Sequence, residues 1–176
     1  YEVMDLCLEC KGCKTQCPSQ IDMAKLKSEF LFHYQKKHGA SWRSRLFAHV
    51  DVANKWMGKL PSLSNYISSH PLSKWGMGLL EIAPKRSLPA LSSQRFSKMV
   101  SLSKKSSKKV GLFVDTFTEF HTPNVGIAAV SLLEKMGFEV IVIPWTCCGR
   151  PALSKGFLPK AKKHAQKVIQ RLLPIA

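Results

Sequence analysis

An α plus α/β fold is what this sequence predicts, and three observations carry it. Residues 1–103 place apolar side chains at helical spacing between prolines and read as all-helical. Residues 104–109, Lys-Lys-Ser-Ser-Lys-Lys, are polar, charged and low in complexity, as an interdomain linker is. From Val110 the register changes to strand, helix, strand, the beginning of a parallel α/β unit. The expected organisation is a helical domain at 1–103, a linker at 104–109 and a partial α/β domain at 110–176.

Taken in order, the chain first presents Cys7-Leu8-Glu9-Cys10-Lys11-Gly12-Cys13-Lys14-Thr15-Gln16-Cys17-Pro18. This C-x2-C-x2-C-x3-C-P run has the spacing of bacterial iron–sulfur loops. Thiolates three residues apart on a tight loop can reach three iron corners of one cubane. Gly12 is expected to supply backbone freedom there, and Pro18 to end the loop. The fourth thiolate, Cys17, ligates the neighbouring cluster where two such motifs pair. Zinc is the chemical rival, although structural zinc usually takes two well-separated ligand pairs. A disulfide knot is a weaker one. We therefore expect Cys7, Cys10, Cys13 and Cys17 to bind a [4Fe-4S] cluster or clusters, with Lys11 and Lys14 raising its potential.

Asp22 then caps a helix expected from Met23 to about Lys37, with Gly39 as its stop. Met23, Leu26, Phe30 and Tyr34 form its apolar stripe, expected to pack over the cysteine loop; Lys25, Lys27 and Ser28 are placed elsewhere on its surface. A second helix is expected over Ser41–Lys59 with Trp42, Leu46, Val50, Ala53 and Met57 on one face. Shorter ones follow at Leu63–Ser69, Leu72–Ile82 and Ser92–Leu102, separated by Pro61, Pro71, Pro84 and Pro89. His33, His38, His49 and His70 receive no role.

In the second part, Val110–Val114 and Glu139–Ile143 are expected strands around a helix at Asn124–Met136, whose inner face carries Ile127, Val130 and Leu133 and which stops at Gly137. Helices follow at Ala152–Ser154 and Pro159–Leu173, the latter with a Leu158, Ala161, Ala165, Val168 and Leu172 stripe. Pro144-Trp-Thr-Cys147-Cys148-Gly149-Arg150-Pro151 leaves the second strand at the edge where parallel sheets build their sites. Asp115-Thr116, Thr118 and His121 fall on that edge too. Cys147 and Cys148 are further candidate metal ligands, and Arg150 beside them could lower a thiol pKa or hold an anion.

Composition bounds these readings. The 176 residues allow one good core or two small ones, and 45% apolar content is that of a globular protein. The longest apolar run, around Val140–Trp145, is strand-sized and far short of a membrane span. The chain opens on Tyr1 and ends within a helical pattern, as a piece of a longer protein would. A net charge of +16 suits an acidic partner, a lipid surface or nucleic acid, but the lysines are spread over helices and the plainer expectation is a solvated basic surface.

Leu6-Cys-Leu-Glu-Cys-Lys-Gly-Cys-Lys14, Asp22-Met-Ala24, Leu112-Phe-Val-Asp-Thr-Phe117 and Cys147-Cys-Gly-Arg-Pro151 together resemble the iron–sulfur and Cys-Cys-Gly part of FAD-linked oxidases. Similar arrangements occur in the iron–sulfur subunits of glycolate oxidase, anaerobic glycerol-3-phosphate dehydrogenase and heterodisulfide reductase. The resemblance implies an α-helical ferredoxin-like unit followed by the first part of a βαβ Cys-Cys-Gly domain. It implies an oxidoreductase acting on CH–OH donors such as D-lactate, D-2-hydroxyglutarate or glycolate, with FAD on another part of the parent chain. Electrons would pass from the flavin through the clusters to a quinone or other acceptor, with no catalytic residue in this segment. The expected partners are the FAD-binding domain and that acceptor. The expected location is cytoplasmic, in peripheral contact with the inner face of the membrane. This chain departs from the pattern in having Asp115-Thr116 where many Cys-Cys-Gly domains carry a cysteine.

Two readings from other classes stand beside this one. A zinc-stabilised basic module binding nucleic acid would use the +16 charge, although no interleaved aromatic and basic motif appears. A thiol-redox protein would use Cys147 and Cys148 and needs a low-pKa thiol.

Overall fold

The computed structural model describes residues 1–83, 85–103 and 105–175. Pro84 (an expected breaker), Lys104 (the first residue of the expected linker) and Ala176 lie outside the described residues. Twelve helices and two strands occur among the described residues, so the chain is mostly helical with one small parallel sheet.

The helices of the first half are α1 (Glu2–Asp5), α2 (Gly12–Gln16), α3 (Met23–His38), α4 (Trp42–Ala48), α5 (Val50–Met57), α6 (Pro61–Ser69), α7 (Pro71–Leu79) and α8 (Phe96–Met99). The second half runs β1 (Lys109–Phe113), α9 (Thr116–Phe120), α10 (Pro123–Lys135), β2 (Glu139–Ile143), α11 (Arg150–Ser154) and α12 (Leu158–Leu172). No helix among the described residues is long and apolar enough to cross a membrane. Packing divides the chain into two compact units: Tyr1–Val50 with Gly149–Ala165, and Asp51–Cys148 with the segment from Gln166 onward.

In the first unit, α3 starts where Asp22 accepts a bond from the Lys25 amide at 3.2 Å and ends at Gly39, whose φ of 81° closes it. Its buried face is Ala24, Lys27, Ser28 and Leu31, not the expected Met23, Leu26, Phe30 and Tyr34 stripe; Leu26 is 50% exposed. Phe30 and Tyr34 stack on each other instead, and Tyr34 on Tyr1. Lys27 and Ser28 go inside because both find partners there. The Ser28 hydroxyl donates to the Lys25 carbonyl at 2.9 Å, and Lys27 bonds the cysteine loop. Gly156, at φ 76°, lets its turn lie so close to α3 that an added Cβ would meet Leu31 Cβ at 2.6 Å. Gln35 Nε2 donates to the Lys155 carbonyl at 2.7 Å beside it. Asp5 pairs with Arg43, and with Lys155 at 3.4 Å.

The expected long helix over Ser41–Lys59 is two helices, α4 and α5, broken at His49. The buried residues there are Ser44, Ala48 and Asn54, while Trp42, Leu46 and Met57 of the predicted stripe are exposed and Val50 and Ala53 half-buried. Pro61 and Pro71 begin α6 and α7 as first-turn residues, where a missing N–H costs nothing. The expected helix over Ser92–Leu102 shrinks to the single turn α8. On α12 the expected stripe residues Leu158, Ala161, Val168 and Leu172 are half-buried, whereas Ala165 is exposed and the neighbouring His164 is buried.

The second unit holds the sheet. β1 and β2 pair in parallel from Lys109↔Glu139 to Phe113↔Ile143, as the strand–helix–strand pattern requires. Phe96, Val114, Val130 and Val140 form its core, with Ile127 and Leu133 of α10 packed against them. Gly126 is needed in α10, since a Cβ there would come within 2.7 Å of the Phe96 ring. Asn65 of α6 binds both backbone groups of Leu91 at 2.8 Å. The expected linker is tied down at Ser106, whose amide donates to Glu139 at 3.1 Å, and just before it Ser103 binds the Glu134 carboxylate at 2.9 and 3.0 Å.

Candidate metal centre

The cysteine loop lies wholly within the first unit, between α1 and the start of α3. Its curvature comes from Glu9 and Lys11, at φ 57° and 60°, the left-handed region that single turn residues occupy. Gly12 does not supply this, contrary to expectation: it has no positive φ, and it opens α2. Cys17 is extended (φ −80°, ψ 127°), as a residue before proline prefers, and there the chain turns away.

All four thiols are free; Cys10 and Cys13 are exposed, and Cys7 and Cys17 half-buried. Amide groups hold the Cys17 thiol below its ordinary pKa, Ile21 most strongly and then Ser19, with burial opposing and Gln20 assisting. Donors aimed at a sulfur favour its thiolate, the form that binds metal. Among the described residues, no three of these sulfurs lie within 4.8 Å of one another. Four free thiols, with amides directed at one of them, are a donor set that suits an iron–sulfur cluster.

Fixed charges stand against the loop. Lys27 Nζ donates to the Cys7 carbonyl at 2.7 Å and lies 3.8 Å from Glu9 Oε1. The Lys11 ammonium stands 3.7 Å from Asp22. Burial opposes, but the Lys25 amide and the Lys11, Lys14 and Lys25 cations outweigh it and hold Asp22 below the usual carboxylate range. Sequence reasoning missed Lys27, because a lysine on a predicted helix is read as solvent-facing; its spacing from Ala24 and Leu31, three and four residues away, was the available signal.

The second cysteine pair separates. Cys147 is buried and Cys148 exposed, both in the second unit, and a carboxylate oxygen of Asp51 lies within 4.8 Å of Cys147 Sγ. Arg171 donates to the Pro144 and Trp145 carbonyls at 2.5 and 2.6 Å and fixes the backbone just before the pair. Gly149 follows at φ 82°, and a Cβ there would meet His164 Cβ at 2.9 Å, so the triplet needs its glycine. Arg150 is exposed. The other residues expected at this edge have structural duties: Asp115 caps α9 by accepting from the Thr118 amide at 2.6 Å, and His121 Nδ1 lies 2.9 Å from the Ala90 carbonyl. Several histidines are likewise structural, with His70 Nδ1 accepting from the Leu72 amide at 3.3 Å and His38 stacked on Tyr34.

Along 94% of its length the chain is 31% identical to a D-2-hydroxyglutarate dehydrogenase of Escherichia coli. It is a relative of one segment of the D-2-hydroxyglutarate dehydrogenases. The enzyme of that name in Haemophilus influenzae is 28% identical over 93% of the chain. A lactate utilization protein A of Bacillus subtilis is 41% identical over 63 residues, 35% of the chain and 26% of that protein. The chain spans only 18% of the length of the Escherichia coli dehydrogenase. No family model and no solved structure matches the chain.

Proposed function

We propose that this chain is the iron–sulfur electron-transfer module of an FAD-dependent D-2-hydroxy acid dehydrogenase. The observation that carries the reading is the cysteine loop: four free thiols in the C-x2-C-x2-C-x3-C-P spacing, on a backbone bent by Glu9 and Lys11, with amides directed at Cys17. The relatives' names supply the substrate class, a D-2-hydroxy acid, and the reaction type.

In this reading Cys7, Cys10 and Cys13 ligate one [4Fe-4S] cluster and Cys17 its neighbour, within a ferredoxin-like helical module at 1–103. Residues 110–176 are the first part of a Cys-Cys-Gly domain, in which Cys147 and Cys148 are further candidate ligands. A bound cluster supplies one-electron storage and release at a potential set by charge, hydrogen bonds and solvent. The chain's own residues position the thiolates, limit water at Cys7 and Cys17 and place cations near them. FAD, held elsewhere on the parent chain, would supply the two-electron oxidation of the substrate, and a quinone or similar acceptor would be the final electron sink. The module works on the cytoplasmic side, at or near the membrane.

Anaerobic reconstitution followed by iron, sulfide and zinc analysis and low-temperature EPR of the dithionite-reduced protein tests this reading. Iron and sulfide near stoichiometry with a reduced-cluster signal is the expected result; zinc without a signal would replace it with a zinc-stabilised module. In the full-length protein, Cys10→Ser should abolish cluster absorbance and electron delivery to an external acceptor while flavin reduction by substrate survives. Loss of flavin reduction as well would contradict the division of labour.

A further inference from the structure

Lysine is almost never fully buried unless paired. Lys27 is 2% exposed, and its two partners both belong to the first Cys-x2-Cys turn: the Cys7 carbonyl at 2.7 Å and Glu9 Oε1 at 3.8 Å. Glu9 Oε1 is itself buried and accepts no hydrogen bond, so the two charges face each other without the close contact that repays desolvation well. As a stability device the pair is therefore a weak return on burying an ammonium. Lys11, by contrast, is 58% exposed along its side chain and already paired with Asp22, so water and salt screen it.

Fixed charges under a redox group act on its potential. Reduction by one electron makes a cluster more negative; a buried cation favours that product and a buried anion opposes it, both through a medium that screens poorly. A bond at the Cys7 carbonyl also polarises the Cys7–Leu8 peptide and strengthens its N–H as a donor. We propose that Lys27 and Glu9 are an opposed charge pair that sets the reduction potential of the cluster held by Cys7 and Cys10, Lys27 raising it and Glu9 lowering it. This rests on the cluster reading of the loop given above.

The test is an EPR-monitored dithionite titration of the anaerobically purified full-length protein and its Lys27→Met, Lys27→Arg and Glu9→Gln variants, with iron and sulfide measured on each. Lys27→Met should lower the reduced-to-oxidised ratio at a fixed ambient potential at least tenfold, about 59 mV for one electron. Glu9→Gln should move it in the opposite direction, and Lys27→Arg, which keeps the charge, should leave it within a fewfold. The double variant Lys27→Met/Glu9→Gln should return towards wild type. A merely structural role would shift both single variants the same way, because each loosens the same turn. Same-direction shifts, or none, in protein that retains its iron and sulfide would overturn this inference and leave the cluster reading standing. A wild-type protein that takes up no iron and sulfide would overturn both. Should Lys27→Met fail to fold, the direction of Glu9→Gln against Lys27→Arg decides alone.

Discussion

Cys10 is exposed on a loop, whereas Cys147 is only 6% exposed beyond a strand end. The surroundings differ as much as the burial. Around the loop the fixed contacts are polar: Lys27 with Cys7 and Glu9, Lys11 with Asp22, and Asp5 with Arg43 and Lys155. The strand-end cysteine follows a sheet packed on Phe96, Val114, Val130 and Val140, with the Trp145 ring set edge-on to Phe120 at 4.9 Å. One region is shaped by charges and turns, the other by apolar volume.

The largest effect that should break this contrast lies in the second unit. Phe96 is fully buried and meets α10 where Gly126 leaves room for its ring. Phe96→Ala should cost about 3–5 kcal/mol. Denaturant unfolding reads the loss, and hydrogen exchange should show protection falling first in β1, β2 and α10. If protection fell equally at the cysteine loop, the separate accounts of the two regions would fail. Gly156→Ala is the corresponding change in the first unit. It combines an overpacked Cβ, 2.6 Å from Leu31 Cβ, with an unfavourable positive φ, and should cost about 2–4 kcal/mol. Exchange protection in α3 reports it.

The same contrast decides what could be read from the sequence. Within the α/β part three features were legible almost to the residue: β2 at Glu139–Ile143, α10 stopping near Gly137, and the Ile127, Val130 and Leu133 face against the core. Apolar periodicity is the signal there because apolar burial is the cause. The same method misplaced the inner face of α3, because Lys27 and Ser28 are buried through partners that lie up to 20 residues away. It also joined α4 to α5 across His49 and missed α9, whose start depends on the Asp115 carboxylate. The cysteine spacing was legible as chemistry without any periodicity, but the source of its curvature was not: Glu9 and Lys11, rather than Gly12, adopt the left-handed backbone.

The smallest effect expected sharpens the electrostatic half of the comparison. Burial alone would raise the Asp5 pKa, but the Lys155 and Arg43 cations outweigh it and hold the carboxyl below its ordinary value of 3.8. A depressed folded-state pKa means that Asp5 adds stability above the unfolded value, and that this contribution is lost as pH falls from near 3.8 through the folded one. Asp5 keeps 21% of its side-chain surface exposed and solvent still screens the pair, so Asp5→Asn should cost only about 0.5–1 kcal/mol at pH 7. The difference from wild type should shrink at 1 M salt and vanish well below pH 3.8, where both side chains are neutral. Unfolding followed across pH 2–7 checks this, on metal-free protein so that acid loss of a metal does not enter. A difference that persisted undiminished at the acid end would mean that Asp5 acts through packing or neutral hydrogen bonds, and that the first unit relies on charge less than its contacts suggest.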